Sequence, residues 1–260
     1  MHLRTAEVQT FPFATTDDAV LGGRLKLMQP ARGHRAGHDA ILLAAAATRA
    51  TNAVDLGAGI GTAGLALLVR SAARYVTLVD SDAELVRLAA TNAERNGYGE
   101  RASVVQAEVE KLGRRGGPAK PATASADLVI MNPPFNDPVQ HRASPDPRRR
   151  RAHAAPESDI EEWIAAADRL LRGNGRLVLI HRPEKTGKIL EAMESRFGGI
   201  ELIPIHANGR GPAIRLIVRG QKGKRTPLAF HPPFVLNGED GQPTHAAEAV
   251  LRGAAALDQA

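Results

Sequence analysis

The chain has 260 residues, 43% of them hydrophobic, no cysteine and a formal net charge of +6. That length and apolar content suffice for one large domain with a full core, and the lack of thiols excludes disulfides, thiolate zinc sites and cysteine nucleophiles. No apolar run reaches the ~18 residues of a membrane span, and the N-terminal residues carry no signal-type apolar core, so a cytoplasmic protein that avoids membranes is expected. The first predicted elements are a short hairpin, Ala19-Val20-Leu21 and Leu25-Lys26-Leu27-Met28 turning through Gly22-Gly23, and a helix over 38–50. Strands are then expected at 52–56, 74–79, 102–106, 126–131, 176–181, 199–205 and 213–219. Helices are expected at 61–72, 82–96, 158–172 and 185–196. This alternation predicts an α/β chain with a doubly wound, mostly parallel, seven-stranded sheet. The last two strands are joined by Asn208-Gly209-Arg210-Gly211-Pro212, too short for a helical crossover, so the final strand is expected to run antiparallel. One domain is expected: 1–36 as an N-terminal hairpin and extension, 37–220 as the core, 221–260 as a tail packing on it.

Within this pattern, Asn52-Ala53-Val54-Asp55-Leu56 leads into Gly57-Ala58-Gly59-Ile60-Gly61 and then into an Ala/Leu-rich helical segment. Glycines at such a strand-to-helix turn let the backbone approach a ligand more closely than a Cβ allows, the arrangement of a Rossmann-like nucleotide site. The next strand ends at Asp80, followed by Ser81, where a carboxylate can accept both hydroxyls of a ribose. Gly59, Gly61 and Gly64 spell the dinucleotide fingerprint and, with Asp80, would suit NAD. Asp55, just before the first glycine, suits instead a cofactor with a cationic amino-acid end, which S-adenosylmethionine has. Both cofactors stand at this point.

The run Ala126-Asp127-Leu128-Val129-Ile130-Met131 ends in Asn132-Pro133-Pro134-Phe135. Each proline removes a backbone donor and fixes φ, and the residue before a proline is held extended, so the Asn132 amide oxygen and nearby carbonyls are left to accept hydrogens from a bound amine. Phe135 places a flat ring beside them for a planar substrate such as a nucleobase. Gly57, Asp80, Glu108 and Asn132 all fall at carboxyl ends of predicted parallel strands, the edge where doubly wound sheets bind ligands.

Val54-Asp55-Leu56-Gly57-Ala58-Gly59-Ile60-Gly61, Asp80 and Asn132-Pro133-Pro134-Phe135 together resemble, in order and spacing, the signature motifs of class I S-adenosylmethionine-dependent methyltransferases. The segment Gln29 to Leu43 is similar to the N-terminal segment of the small-domain methyltransferases, especially the tRNA (adenine-N6) methyltransferases. The resemblance covers about residues 17–220. It implies S-adenosylmethionine as cofactor and no metal. It further implies that Arg35, Gly37 and Asp39 lie against the cofactor, and that Glu108, with Val109, contacts its adenine amine. In the family that acid is more often an Asp preceded by Gly; here Glu108 follows Ala107.

The implied reaction is N-methylation of an exocyclic amine in RNA, adenine N6 in tRNA first, with guanine N2 in ribosomal RNA or a protein glutamine amide as related substrates. The positive charge favours such a partner, because basic residues that neutralise phosphates release counterions. Arg148-Arg149-Arg150-Arg151, in the Pro-rich stretch after Phe135, is the leading phosphate-contact candidate, with Lys222, Lys224 and Arg225 a second, weaker group. Residues 112–125 and 136–156, rich in Pro, Gly and Arg, are expected to be mobile loops. An NAD-dependent oxidoreductase and a non-catalytic nucleic-acid-binding protein remain the alternatives from other classes. A homodimer is the default for oligomeric state, which the sequence does not settle.

Overall fold

The computed structural model describes residues 11–32, 37–134 and 160–259. Strands β1 (Thr15–Val20) and β2 (Leu25–Pro30) form an antiparallel hairpin. Its turn runs through Leu21, Gly22 and Gly23, all at positive φ. There follow α1 (His38–Ala46), β3 (Ala50–Leu56), α2 (Thr62–Val69), β4 (Ala73–Asp80), α3 (Ala83–Arg95), β5 (Ala102–Gln106) and β6 (Ala126–Met131). The second half holds α4 (Ile160–Leu170), β7 (Leu171–His181), α5 (Thr186–Glu194), β8 (Phe197–Asn208), β9 (Ala213–Lys222), β10 (Ala229–Phe230), β11 (Phe234–Asn237) and α6 (His245–Leu251).

The sheet runs β10-β8-β9-β7-β6-β3-β4-β5, with β11 also on β8. Strands β5, β4, β3, β6 and β7 are mutually parallel, and β9 lies antiparallel between β7 and β8. These seven are the expected strands in the expected sense. The sheet is nevertheless wider than the seven strands expected, because β10 and β11, from the segment read as a tail, pair parallel to β8 and bring it to nine. Two-residue and four-residue strands carry no alternation that a sequence can display.

Buried side chains fill both faces, the pattern of a sheet covered by helices on each side. One cluster joins α1, α2, α3 and α6 to Leu128, Ile130, Val178 and Ile205; the other joins α4 and α5 to Val54, Val129, Met131 and Leu179. Among the described residues no helix is long and apolar enough to cross a membrane.

Several expected helices end short of their apolar patterns; the one over 61–72 stops at Val69, ahead of Ser71 at positive φ. The one predicted over 38–50 stops at Ala46 because Ala50 already pairs with Ala73 of β4, and the one over 158–172 stops at Leu170 because Leu171 pairs with Ala126 of β6. The stretch 112–125, expected to be mobile, is fastened to α4. Leu112 is fully buried, Arg169 donates to the Leu112 carbonyl at 2.8 Å, and Ala124 and Ser125 N–H donate to the Arg169 and Leu170 carbonyls at 3.0 Å.

A buried asparagine fixes the hairpin to the glycine turn. Asn92 of α3, fully buried, accepts from Met28 N–H at 2.7 Å and donates to the carbonyls of Met28 and Ile60, each at 3.0 Å. Its amide thus satisfies backbone groups on both elements.

Candidate active site

The register of the parallel strands assembles the site. Leu56 is level with Met131 on one side and Val79 on the other, and Asp80 is level with Gln106. The next residue of each chain, Asn132, Gly57, Asp80 and the Ala107-Glu108 step, therefore emerges at one edge. At the usual strand spacing this row is ~14 Å long.

The glycines divide into different tasks. Gly57 (φ +68) lies on Trp163 of α4: a Cβ there would be 2.6 Å from the indole. Gly64, inside α2, would put a Cβ 2.2 Å from Leu78, so it serves close helix-to-strand packing. Gly61 (φ +88), the N-cap of α2, meets Leu78 at 3.0 Å. Gly59 (φ +56) faces open space, with nothing within 4 Å of where a Cβ would stand. Ala58 N–H is held by the Val79 carbonyl at 2.8 Å, extending the β3–β4 ladder into the turn.

Asp80 shapes this turn. One carboxylate oxygen accepts from Gly59 N–H at 2.8 Å and the other from Asp82 N–H at 2.9 Å, which leaves each oxygen further acceptor capacity toward the edge. Burial raises its pKa, against the lowering effect of those amides. Ser81 beside it is exposed, and its carbonyl accepts from Gln106.

Asp55 is buried, and one of its oxygens accepts from Gly64 N–H at 2.8 Å, which caps α2. Burial, with the nearby negative charge of Asp80 as a lesser cause and the Gly64 amide opposing, pushes its pKa up to about 7. The folded protein therefore retains a proton that the unfolded chain releases near pH 4, and folding stability falls as pH rises between about 4 and 7, by at most ~1.4 kcal/mol per unit. Asp55→Asn keeps the acceptor for Gly64 and removes the ionisation. The variant is expected to lose this part of the pH dependence when unfolding is followed at pH 5 and pH 8. An undiminished fall between those values would assign it to another group.

Asn132 is half-buried at the end of β6, Pro133 is buried and Pro134 exposed. The Asn132 Oδ1 atom is buried and has no hydrogen-bond partner among the described residues. A buried acceptor without a donor costs about 1–3 kcal/mol, so this oxygen has acceptor capacity for a donor beyond the described residues. Glu108 is exposed and pairs with Lys111 at 2.7 Å, while Val109 is buried beneath it. Gly37 is the extended N-cap of α1, and Asp39 in its first turn pairs with Arg215 of β9 at 2.8 Å. This ion pair ties the β8–β9 hairpin to α1. Arg35, Phe135 and Arg148 to Arg151 lie outside the described residues.

Sequence reasoning missed two side chains around this edge. Trp163, the only tryptophan of the chain, supports Gly57 and donates from Nε1 to Glu110 at 3.2 Å, linking the turns after β3 and β5. His181, at the end of β7 next to β6, is buried; burial and the nearby cations Lys185, Arg182 and Arg215 push its pKa down to about 4. It is neutral at pH 7, and its Nδ1 accepts from Arg182 N–H at 2.8 Å. The uniqueness of Trp163 was a usable signal; for His181 the sequence carries none.

The methyltransferase small domain family model matches residues 36–208. The chain belongs to that family. Among solved structures, the predicted O-methyltransferase Atu636 of Agrobacterium tumefaciens superposes with a TM-score of 0.69 and 31% identity, covering 84% of this chain and 97% of that one. The TYW2 protein of Pyrococcus horikoshii, crystallised in complex with MeSAdo, has a TM-score of 0.55 at 13% identity over 81% of this chain and 72% of that one, a likeness of fold alone. The tRNA1(Val) (adenine(37)-N6)-methyltransferase of Aeromonas hydrophila is 33% identical over 149 residues, 56% of this chain and 58% of that protein. Its namesake in Glaesserella parasuis is 29% identical over 156 residues, 59% and 61% respectively. The chain thus matches about three fifths of the length of these relatives. Family membership sets aside the NAD-dependent oxidoreductase read as an alternative from the glycine pattern.

Proposed function

We propose that the chain transfers the methyl group of S-adenosylmethionine to an exocyclic amine of a nucleobase in RNA, adenine N6 in tRNA foremost. The observation that carries this reading is the buried Oδ1 of Asn132, without a hydrogen-bond partner among the described residues and level with the glycine turn. The names of the relatives support tRNA as the substrate.

The cofactor, when bound, supplies an electrophilic sulfonium methyl. The residues present fit it: Gly59 leaves open space where a Cβ would intrude and Asp80 has acceptor capacity for ribose hydroxyls, while Asp55, buried and bonded to Gly64 N–H, would act on it through the turn it holds. Gly57, Ala58 and Gly61 set the path of that turn. Glu108, Val109 and Ser81, at the ends of β4 and β5, would hold the adenine end; Gly37 and Asp39, and Arg35 outside the described residues, are the further contacts the resemblance implies.

Asn132 Oδ1 and the Pro133 carbonyl accept the two hydrogens of the substrate amine. An exocyclic amine is a poor nucleophile because its lone pair is delocalised into the ring; two acceptors draw the nitrogen toward tetrahedral geometry and turn the lone pair toward the methyl. Placement and fixed dipoles then supply the rate. No strong base is required, since the methylated, cationic nitrogen gives its proton to water. Pro134 keeps the chain extended, and Phe135 provides the stacking ring.

The glycines give a direct check on the cofactor site. Gly59→Ala is expected to fold with a cost of ~1–2 kcal/mol from its left-handed φ, and to bind S-adenosylhomocysteine at least about tenfold more weakly. Gly64→Ala is expected to act through overpacking against Leu78, lowering stability by ~1–3 kcal/mol. Thermal unfolding with and without ligand separates these; undiminished binding by Gly59→Ala would remove Gly59 from the site. The reading itself is tested by calorimetric titration of the protein with S-adenosylhomocysteine and with NAD. Binding of the former alone is expected, and binding of neither would favour a nucleic-acid-binding protein on a vestigial methyltransferase fold.

A further inference from the structure

The second basic group of the sequence separates in the structure. Lys222 is an internal strut: its Nζ donates to the Leu171 carbonyl at 3.0 Å and pairs with Asp168 at 3.2 Å. Lys224 and Arg225 are exposed, and neither has an ion-pair partner among the described residues. They begin an extended stretch along the outer edge of β8 that ends in two exposed apolar side chains, Leu228 at 40% and Phe230 at 73% exposure.

This stretch is held rigidly. Gly199 N–H donates to the Thr226 carbonyl at 3.1 Å and His231 N–H to the Leu202 carbonyl at 2.9 Å. At Gly198 the backbones approach so closely that a Cβ would be 2.0 Å from the Lys224 carbonyl oxygen. The backbone is thus fixed against β8; the stem of Lys224 lies over Gly199, and Arg225 and Phe230 beside it are exposed. His231, paired with Glu201 at 3.4 Å, borders it.

An exposed phenylalanine on an edge strand can serve strand-to-strand association with a second copy, or recognition of a ligand with flat rings and negative charge. The edge argues for the ligand. Pro227 and Pro232-Pro233 flank β10 and lack the N–H groups that a further strand would need. Two unneutralised cations beside the ring repel an identical patch and attract phosphates. In register, Phe230 is level with Leu202 and, through Val218 and Leu179, with Met131 beside Asn132, and β10 lies four strand positions from β6. At usual strand spacing this places Phe230 ~20 Å from Asn132. That span corresponds to about six phosphates along one strand.

We infer that Lys224, Arg225 and Phe230 form a second contact surface for the RNA substrate, with phosphates on the two cations and an unpaired base or a sugar against the ring. The inference rests on the RNA reading given above and adds to it where a distant part of the substrate is gripped. This surface acts on substrate capture and leaves the methyl-transfer step untouched.

The test compares the whole protein with Lys224→Ala/Arg225→Ala and with Phe230→Ala. Binding of unmodified total tRNA is followed by fluorescence anisotropy over a salt series, together with steady-state methyl transfer, with S-adenosylhomocysteine affinity as the control for folding. The double variant is expected to raise KM for tRNA about tenfold with kcat within about twofold, and to reduce the slope of log Kd against log salt by about 1.5. Phe230→Ala is expected to raise KM with an unchanged salt slope. Unchanged KM and slope in both variants, while the wild-type protein binds and methylates tRNA, would overturn the surface and leave the functional reading standing. A wild-type protein that binds S-adenosylhomocysteine and no tRNA would overturn both. Loss of a dimer by Phe230→Ala in sedimentation, with tRNA binding unaltered, would assign the patch to self-association and overturn the inference.

Discussion

Asn132→Ala is expected to lower turnover about 10²- to 10³-fold, the loss found when one oriented group that acts on the reacting centre is removed. The reason lies in its position. Asn132 ends β6 in register with Gly57, and its Oδ1 is buried without a partner among the described residues. Under the proposed function the substrate amine is the donor from which this oxygen would accept. S-adenosylhomocysteine carries no such amine group at that point, so its affinity is expected to change by less than about threefold. Asn132→Asp is informative beside it: it keeps an acceptor oxygen, and so should retain more activity than alanine while the amide-specific geometry is lost. Equal losses of turnover and of cofactor affinity in Asn132→Ala would contradict the role.

Asp80→Ala is expected to do the opposite. Its carboxylate anchors Gly59 N–H and Asp82 N–H, and under the proposed function the same oxygens would accept from the ribose, so removing it loosens the turn and would delete those acceptors in one step. A fall in S-adenosylhomocysteine affinity of ~100-fold, or about 2.7 kcal/mol, is expected, with kcat at saturating cofactor much less affected. Asp80→Asn retains one acceptor oxygen and should fall between the two. An Asp80→Ala protein that binds the cofactor normally and has lost turnover would reverse the assignments of Asp80 and Asn132.

The parts of this site visible in the sequence are those in which chemistry is written locally. The turn 57–61 and the Asn132-Pro133-Pro134 step each place several unusual residues within a few positions, and the alternation of apolar runs then brings them to one edge. The glycines were legible as glycines but not by task. Only the fold shows that Gly57 and Gly64 make room for Trp163 and Leu78, and that Gly59 alone of the turn's glycines faces open space. Groups whose partners are distant along the chain left no trace. Asn92 reads as an ordinary polar residue of a helix, yet it bonds Met28, 64 residues away, and Ile60, 32 residues away. Asp39, expected against a cofactor, is found bridging to Arg215, 176 residues away. The outer strands β10 and β11 are too short to show a period, and so the widening of the sheet, with the exposed Phe230 it carries, emerged only from the fold.

The central claim is that Asn132 presents an amine of an RNA base to the methyl of S-adenosylmethionine. The most direct measurement is transfer of radiolabel from S-adenosylmethionine to total tRNA, with nuclease digestion and identification of the labelled nucleoside, run in parallel on the wild-type protein and Asn132→Ala. Label recovered as N6-methyladenosine with the wild-type protein, and reduced at least about 100-fold with the variant, is the predicted result. Label that resists nuclease and is released by protease would contradict it, and would move the substrate to a protein side-chain amide.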